Sequence, residues 1–216
     1  MTEALAATSY REITTEAELR DTIGGYPAPR PATKVRPYLH PVQVEWLKAS
    51  PFCVIATCDA EGSCDTSPKG DPAGHLIHVL DPRTVAIAER PGNKRVDGYL
   101  NILSNPHVGI LSLIPGRDDT LRINGRAKLM RDAPFFSELE VRGKRPVLAM
   151  VVDIDQVFFH CSKSFMRARL WEPAAWPSPE AMPSVAALCK AVQETPETLE
   201  ELEARYAPDN YGKLLY

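Results

Sequence analysis

Arg90, Lys94 and Arg95 fall within six residues of one another in the stretch ERPGNKRVDGYLNIL (residues 89–103), beside Gly92 and Asn93 and just ahead of a helical apolar pattern. Cations, a permissive backbone and a helix start are the ingredients of an anion site, because the first N–H groups of a helix lack partners and its dipole favours negative charge. Gly92 admits close backbone approach, and Asn93 reads as the N-cap of a helix anchored by Val96, Tyr99, Leu100 and Leu103 and stopped at Asn105-Pro106. Cations at that end are unfavourable by up to about 1 kcal/mol each unless an anion offsets them. The mismatch points to a phosphate; a solvated basic turn is the competing reading. No GxxxxGK[ST] loop is present and no GxGxxG follows a strand, which disfavours nucleoside triphosphate chemistry and a Rossmann cofactor.

Further polar groups stand at strand ends. Ser67, Lys69 and Asp71 flank Pro68 in CDTSPKGDP. In TLRINGRAKLM, Thr120, Arg122 and Asn124 share one face and Leu121 and Ile123 the other, so the polar face meets a ligand, a partner subunit or water. His160 and Cys161 close a long apolar strand, followed by Lys163, Arg167, Arg169 and Trp171. Adjacent strand residues project to opposite faces, so His160 and Cys161 are poorly placed as base and nucleophile. His75 and His78 have no companions at ligand spacing, and no metal site is expected. Asp153 and Asp155 read as a solvated edge. No residue is assigned a catalytic role.

The elements that must position these groups are short strands separated by turn chemistry. FCVIATC, CDTSPKG, HLIHVL, TVAIAE, HVGILSLI, TLRINGRAKLM and PVLAMVVDIDQVFFH alternate with DAEGS, DPAG, DPR and PGRDD at hairpin spacing. Few helices intervene, which favours a mainly β antiparallel barrel or sandwich with peripheral helices. Thr15 and Glu18 have capping-box spacing ahead of a first helix ended by Gly24-Gly25; five prolines between residues 27 and 41 mark an extended path, and VQVEWLKAS is a second helix. A short helix is expected in DAPFFSELE. After Trp171, helices are expected in SVAALCKAVQ and in TPETLEELEARY, with Thr195 as cap and Pro196 in the first turn. This divides the chain into an extension (residues 1–50), a central β domain (51–171) and a helical extension (172–216).

Bulk properties narrow the function classes. The 216 residues are 44% apolar and 25% charged with a formal net charge of -3, ordinary for a folded domain and without the basic surplus of a nucleic-acid binder. The apolar runs VGILSLI and VLAMVV fall far short of the roughly 20 residues a spanning helix needs, so no membrane association is expected. MTEALAATSYREITTEAEL has neither a basic start nor an apolar export core, which reads as cytoplasmic. Five cysteines, an odd number, fit reduced thiols, and Cys58 and Cys64 are too far apart for CxxC.

Taken in order, SPKGDP (67–72), ERPGNKRVDGYLNILSNPHVGIL (89–111), TLRINGRA (120–127) and FFHCSKSFMRARLW (158–171) resemble the pyridoxamine 5'-phosphate oxidase-like, FMN-binding split-barrel family over roughly residues 40–175. The resemblance is nearest to a bacterial subfamily with no settled substrate. It implies an antiparallel FMN-binding split β-barrel, a homodimer with FMN at the subunit interface, and oxidoreductase chemistry on a small-molecule substrate. By the same resemblance Ser67 and Lys69 lie near the flavin, and Arg90, Asn93, Lys94 and Arg95 at its phosphate. Thr120 and Arg122 lie beside the cofactor, while His160, Lys163, Arg169 and Trp171 belong to the C-terminal segment, contributed from the other subunit. A cation such as Lys69 near the polar edge of the ring would raise its reduction potential. The oxidases carry Arg-x-His on their substrate where this chain has Arg167-Ala168-Arg169, which argues against pyridoxamine phosphate as substrate. The alternative function is a non-catalytic flavin- or haem-binding sensor on the same barrel.

Overall fold

A computed structural model describes residues 10–29 and 33–216. Two compact units are present, one ending at Val35 and one running from Arg36 to Tyr216. In the first, helix α1 (Glu16–Ile23) begins at Thr15, whose hydroxyl accepts the Glu18 N–H, and ends on left-handed Gly24, as the capping-box spacing predicts. Part of the Pro-rich path, residues 30–32, lies outside the described residues.

The second unit is built on seven strands: β1 (Phe52–Cys58), β2 (Cys64–Gly70), β3 (Ile77–Asp81), β4 (Thr84–Ala88), β5 (His107–Leu113), β6 (Thr120–Met130) and β7 (Ala149–His160). All pair antiparallel in the order β2-β1-β5-β6-β7-β4-β3, so the fold is the mainly β class with peripheral helices. The sheet is split between its outer strands, β2 and β3. Pro68 lies within β2, where its missing N–H costs no ladder bond on the open side. Strand β6 pairs with β7 through a bulge between Asn124 and Gly125. A Cβ on Gly125 would lie 2.2 Å from the Asp153 carbonyl oxygen, so the close approach at the bulge demands glycine.

The inner face carries Ile55, Val85, Ile87, Ile110, Leu121, Ile123, Val152 and Val157, all buried in one core with Trp46 and Leu47 of helix α2 (Pro41–Ala49). Trp46 meets Phe159 edge to face at 5.2 Å. Helix α3 (Asp97–Ser104) follows β4, and α4 (Lys163–Ala168) follows β7. The helix expected in DAPFFSELE is a single 3-10 turn, Pro134–Ser137. In the tail, α5 (Val185–Val192), α6 (Leu199–Tyr206) and α7 (Pro208–Tyr211) follow one another. Helix α6 starts later than the sequence predicts. Its cap is Thr198, which exchanges hydrogen bonds with Glu201 in a full capping box, whereas the Thr195 hydroxyl accepts only the Glu197 N–H. Among the described residues no helix is long and apolar enough to cross a membrane.

Candidate functional site

Strand β1 separates two clefts. Its alternation sends Ile55 and Thr57 into one and lines the other with Val54 and Ala56. The first cleft, of about 330 Å³, is walled by β2 through Asp65, Ser67 and Lys69, floored by Ile55, Ile102 and Met150, and closed by Asn93 and residues 95–99. A neighbouring hollow of about 300 Å³ shares Lys69, Glu89, Asn93 and Arg95 with it and extends toward Arg90 and Gly92. Together they have the size and mixed apolar and polar lining of a cofactor site.

Three side chains interlock at the cleft wall. Lys69 Nζ donates to Glu89 Oε2 at 2.6 Å, the Tyr99 hydroxyl donates to the same oxygen at 2.5 Å, and Lys69 Nζ lies 5.0 Å from the Tyr99 ring centroid. Burial and the bond to Glu89 push the Tyr99 phenol well above its ordinary pKa, so it remains a donor throughout the neutral range. Cys53, behind the wall, is pushed up to about 12 by burial, with Lys69 acting weakly in the opposite direction. Lys69 is an ion-paired cation, with Glu89 as its counter-ion.

The stretch that carries the basic cluster is arranged differently from its sequence reading. Helix α3 begins at Asp97, and Val96, without a side-chain cap bond, occupies the N-cap assigned above to Asn93. Asn93 instead folds the preceding turn, its Oδ1 accepting the Arg95 N–H at 2.9 Å, while Lys94 adopts φ 61, the left-handed region. Tyr99 and Ile102 are the buried face of the helix; Val96, Leu100 and Leu103 are exposed. Arg95 Nε donates to Asp97 Oδ2 at 2.5 Å, and Asp65 abuts the first turn, its Oδ2 2.9 Å from where a Cβ of Gly98 would stand. The charge mismatch that pointed to an anion is thus answered within the chain by two carboxylates. What remains for an anion is the outward charge of Lys94 and of Arg95, whose side chain is 78% exposed.

Arg90 faces inward. Its Nε donates to Asp71 Oδ2 and its Nη2 to the Leu139 carbonyl, both at 2.8 Å, and the Tyr216 hydroxyl donates to Asp71 Oδ1 at 2.9 Å. The Asp71 side chain is 2% exposed and that of Arg90 13%. This arrangement ties the ends of β2 and β4 to the tail of the chain.

Thr120, Arg122 and His160 come together, as the alternation of β6 predicts, but in the second cleft, of about 360 Å³, with Ser164 and Phe165 of α4. Thr120 and His160 are register partners, and the Arg122 guanidinium stacks 5.1 Å from the Phe158 ring. Lys163 opens α4, Arg169 pairs with Glu172, and Trp171 Nε1 donates to the Arg117 carbonyl at 2.8 Å; none of the three lines either cleft. Of the twelve residues singled out from sequence, Ser67, Lys69, Asn93 and Arg95 line the first cleft, Arg90 the hollow beside it, and Thr120, Arg122 and His160 the second cleft on the opposite face of β1, so one ligand bound to a single chain cannot touch both sets; Lys94, Lys163, Arg169 and Trp171 line none of these spaces. Thr57, Asp65, Glu89 and Asp97 were missed. Glu89 had a signal, an acid directly after an apolar strand and beside the basic stretch, although its partner Lys69 lies 20 residues away on β2; Asp65 had none.

The family model of pyridoxamine 5'-phosphate oxidase matches residues 39–161. None of the curated proteins matches the chain. Among solved structures, a Lactobacillus delbrueckii protein described provisionally as a pyridoxamine 5'-phosphate oxidase is 23% identical, with 58% of this chain and 99% of that one covered and a TM-score of 0.46. HupZ from Group A Streptococcus is 17% identical over 56% of this chain and 93% of its own, with a TM-score of 0.45. The haem storage protein HutZ from Vibrio cholerae is 16% identical over 56% and 93%, with a TM-score of 0.40.

Proposed function

The chain belongs to the pyridoxamine 5'-phosphate oxidase family, and from that premise we infer that it is an FMN-binding flavoprotein, an oxidoreductase acting on a small molecule. The observation that carries this reading is the first cleft, where the apolar floor of Ile55, Ile102 and Met150 adjoins the Lys69–Glu89–Tyr99 cluster and the wall of Asn93 and Arg95. Those residues fit a flat aromatic ring with a charged tail. The floor would pack the ring, Lys69 would donate to its polar edge, and Lys94 and Arg95 would hold the phosphate through charge-assisted bonds. Bound FMN would supply hydride acceptance. Glu89 tempers the positive field of Lys69, so the rise in reduction potential is smaller than a lone lysine would produce.

The second cleft lies on the other face of the sheet, which favours assembly as a homodimer. Thr120, Arg122, His160 and the α4 segment with Lys163, Arg169 and Trp171 would then complete the partner's cofactor site. A cytoplasmic location agrees with the cysteine usage.

Purified protein incubated with FMN should retain a flavin absorbance band through gel filtration at the mass of a dimer. Combined Lys94→Ala and Arg95→Ala substitution should weaken FMN by about 2–3 kcal/mol, roughly 30- to 150-fold. A colourless protein after incubation, or one that takes up haem and not FMN, refutes the reading. Bound flavin that no nicotinamide nucleotide or small donor reduces leaves binding intact and refutes the oxidoreductase assignment.

A further inference from the structure

Cys58 and Cys64 end β1 and begin β2, and they are register partners directly across the hairpin. The turn between them is tight. Gly62 N–H donates to the Asp59 carbonyl at 3.3 Å with Gly62 at φ 92, and Asp59 N–H donates to the Ser63 carbonyl at 3.0 Å. That is the three-residue hairpin with left-handed glycine at its end, in which Asp59 and Ser63 form the hydrogen-bonded pair. Antiparallel ladders alternate, so the next pair, Cys58 and Cys64, is non-hydrogen-bonded, the type in which Cα atoms approach to about 4.5 Å and side chains lie closest. This falls within the roughly 4.4–6.8 Å over which a disulfide spans two Cα atoms.

Both thiols are free, Cys64 exposed and Cys58 half-buried. The Asn105 side-chain amide directs an N–H at Cys58 Sγ from 3.3 Å. Exposure at one sulfur and a hydrogen-bond donor at the other divide the roles of a redox pair. Cys53 and Cys189, by contrast, are buried, and Cys161 is exposed with no cysteine as a register partner.

We propose that Cys58 and Cys64 form a redox-active dithiol that a hydroperoxide converts to a cross-strand disulfide. The exposed Cys64 thiolate attacks the peroxide, the O–O bond breaks, and Cys64 becomes a sulfenic acid with release of the other oxygen as hydroxide or water. The Cys58 thiolate then attacks the Cys64 sulfur, forming the S–S bond and expelling the second oxygen as water. Two thiols and one hydrogen peroxide give one disulfide and two waters; two electrons pass from sulfur to peroxide. Thr57 and Asp65, the neighbours of the two cysteines, line the first cleft, so oxidation covalently ties the turn end of its wall. The pair does not depend on which cofactor the cleft holds.

The test uses the full chain, reduced, freed of reductant, exposed to a small excess of hydrogen peroxide and then alkylated. Two alkylation sites should be lost, with fragment spectra placing the loss of two hydrogens between Cys58 and Cys64, and dithiothreitol should restore both. In Cys64→Ser, Cys58 should remain alkylatable under the same exposure, with Cys161 as internal control. The proposal is overturned if both cysteines stay alkylatable, if they accumulate separately as sulfinic acids, or if the loss of two hydrogens persists in Cys64→Ser.

Discussion

Replacing Asp71 with Asn removes one charge and almost no volume, and the structure says what that charge does. The Asp71 carboxylate accepts from Arg90 Nε at 2.8 Å and from the Tyr216 hydroxyl at 2.9 Å, with the aspartate side chain 2% and the arginine 13% exposed. Deleting one partner of a buried ion pair costs about 3–5 kcal/mol, because the remaining charge is left desolvated. The slight exposure of Arg90 and its second bond to the Leu139 carbonyl set the expectation at the lower end, about 3 kcal/mol. For a chain of this size that lowers Tm by about 6–12 °C. Calorimetry on Asp71→Asn, Arg90→Met and the double variant tests the assignment. The double variant leaves neither charge stranded, so the cycle should show coupling of about 2 kcal/mol or more. A single variant that melts within about 2 °C of the parent, or costs that add to within about 0.5 kcal/mol, would show that Arg90 is not held as a structural pair and return it to the candidate anion site.

Glu89→Gln should destabilise by about 2 kcal/mol in urea, since Lys69 and Glu89 are only 19% and 24% exposed and Lys69 would lose its 2.6 Å partner; Tyr99→Phe should cost about 1 kcal/mol. Gly125→Ala should lower stability by about 2 kcal/mol or more, because the new methyl would meet the Asp153 carbonyl; a Tm equal to the parent's would mean the bulge relaxes freely. Alkali should unfold the protein through groups whose folded pKa is raised. Cys53 rises from 9.0 to about 12, and Tyr99 also rises. The unfolded chain surrenders these protons first, so their contribution is complete below about pH 9 and is lost as pH climbs toward 12. Denaturant titrations across that window should show a flatter slope in Cys53→Ala.

The strands were legible because both of their signals are local. β1, β2 and β6 fall on FCVIATC, CDTSPKG and TLRINGRAKLM residue for residue, since alternation and turn residues fix their ends. The basic stretch was less so. Val96, Leu100 and Leu103 fit a helical period as well as Tyr99 does, yet Ile102 is the residue that shares the buried face with Tyr99, and periodicity in an eight-residue helix cannot choose between such faces. Arg90 and Arg95 looked like two of a kind. One is buried on Asp71, nineteen residues away, and the other is exposed beside Asp97; that distinction depends on tertiary contacts that no local pattern encodes. Cys58 and Cys64 failed a spacing rule made for turns and became neighbours through strand pairing.

Because β1 is a partition one residue thick, its register decides what each compartment is made of. Sliding it by a single position would present Val54 and Ala56 where Ile55 and Thr57 now stand, exchanging the linings of both clefts at once. The protein anchors the strand at both ends against that slip. At one end the buried Ser50 hydroxyl reaches the Leu113 carbonyl at 2.7 Å and is met by Ser112 at 2.7 Å; at the other, Gly62 fixes the length of the turn. Mutations at these two remote anchors should therefore behave as substitutions in both compartments at once, without touching either.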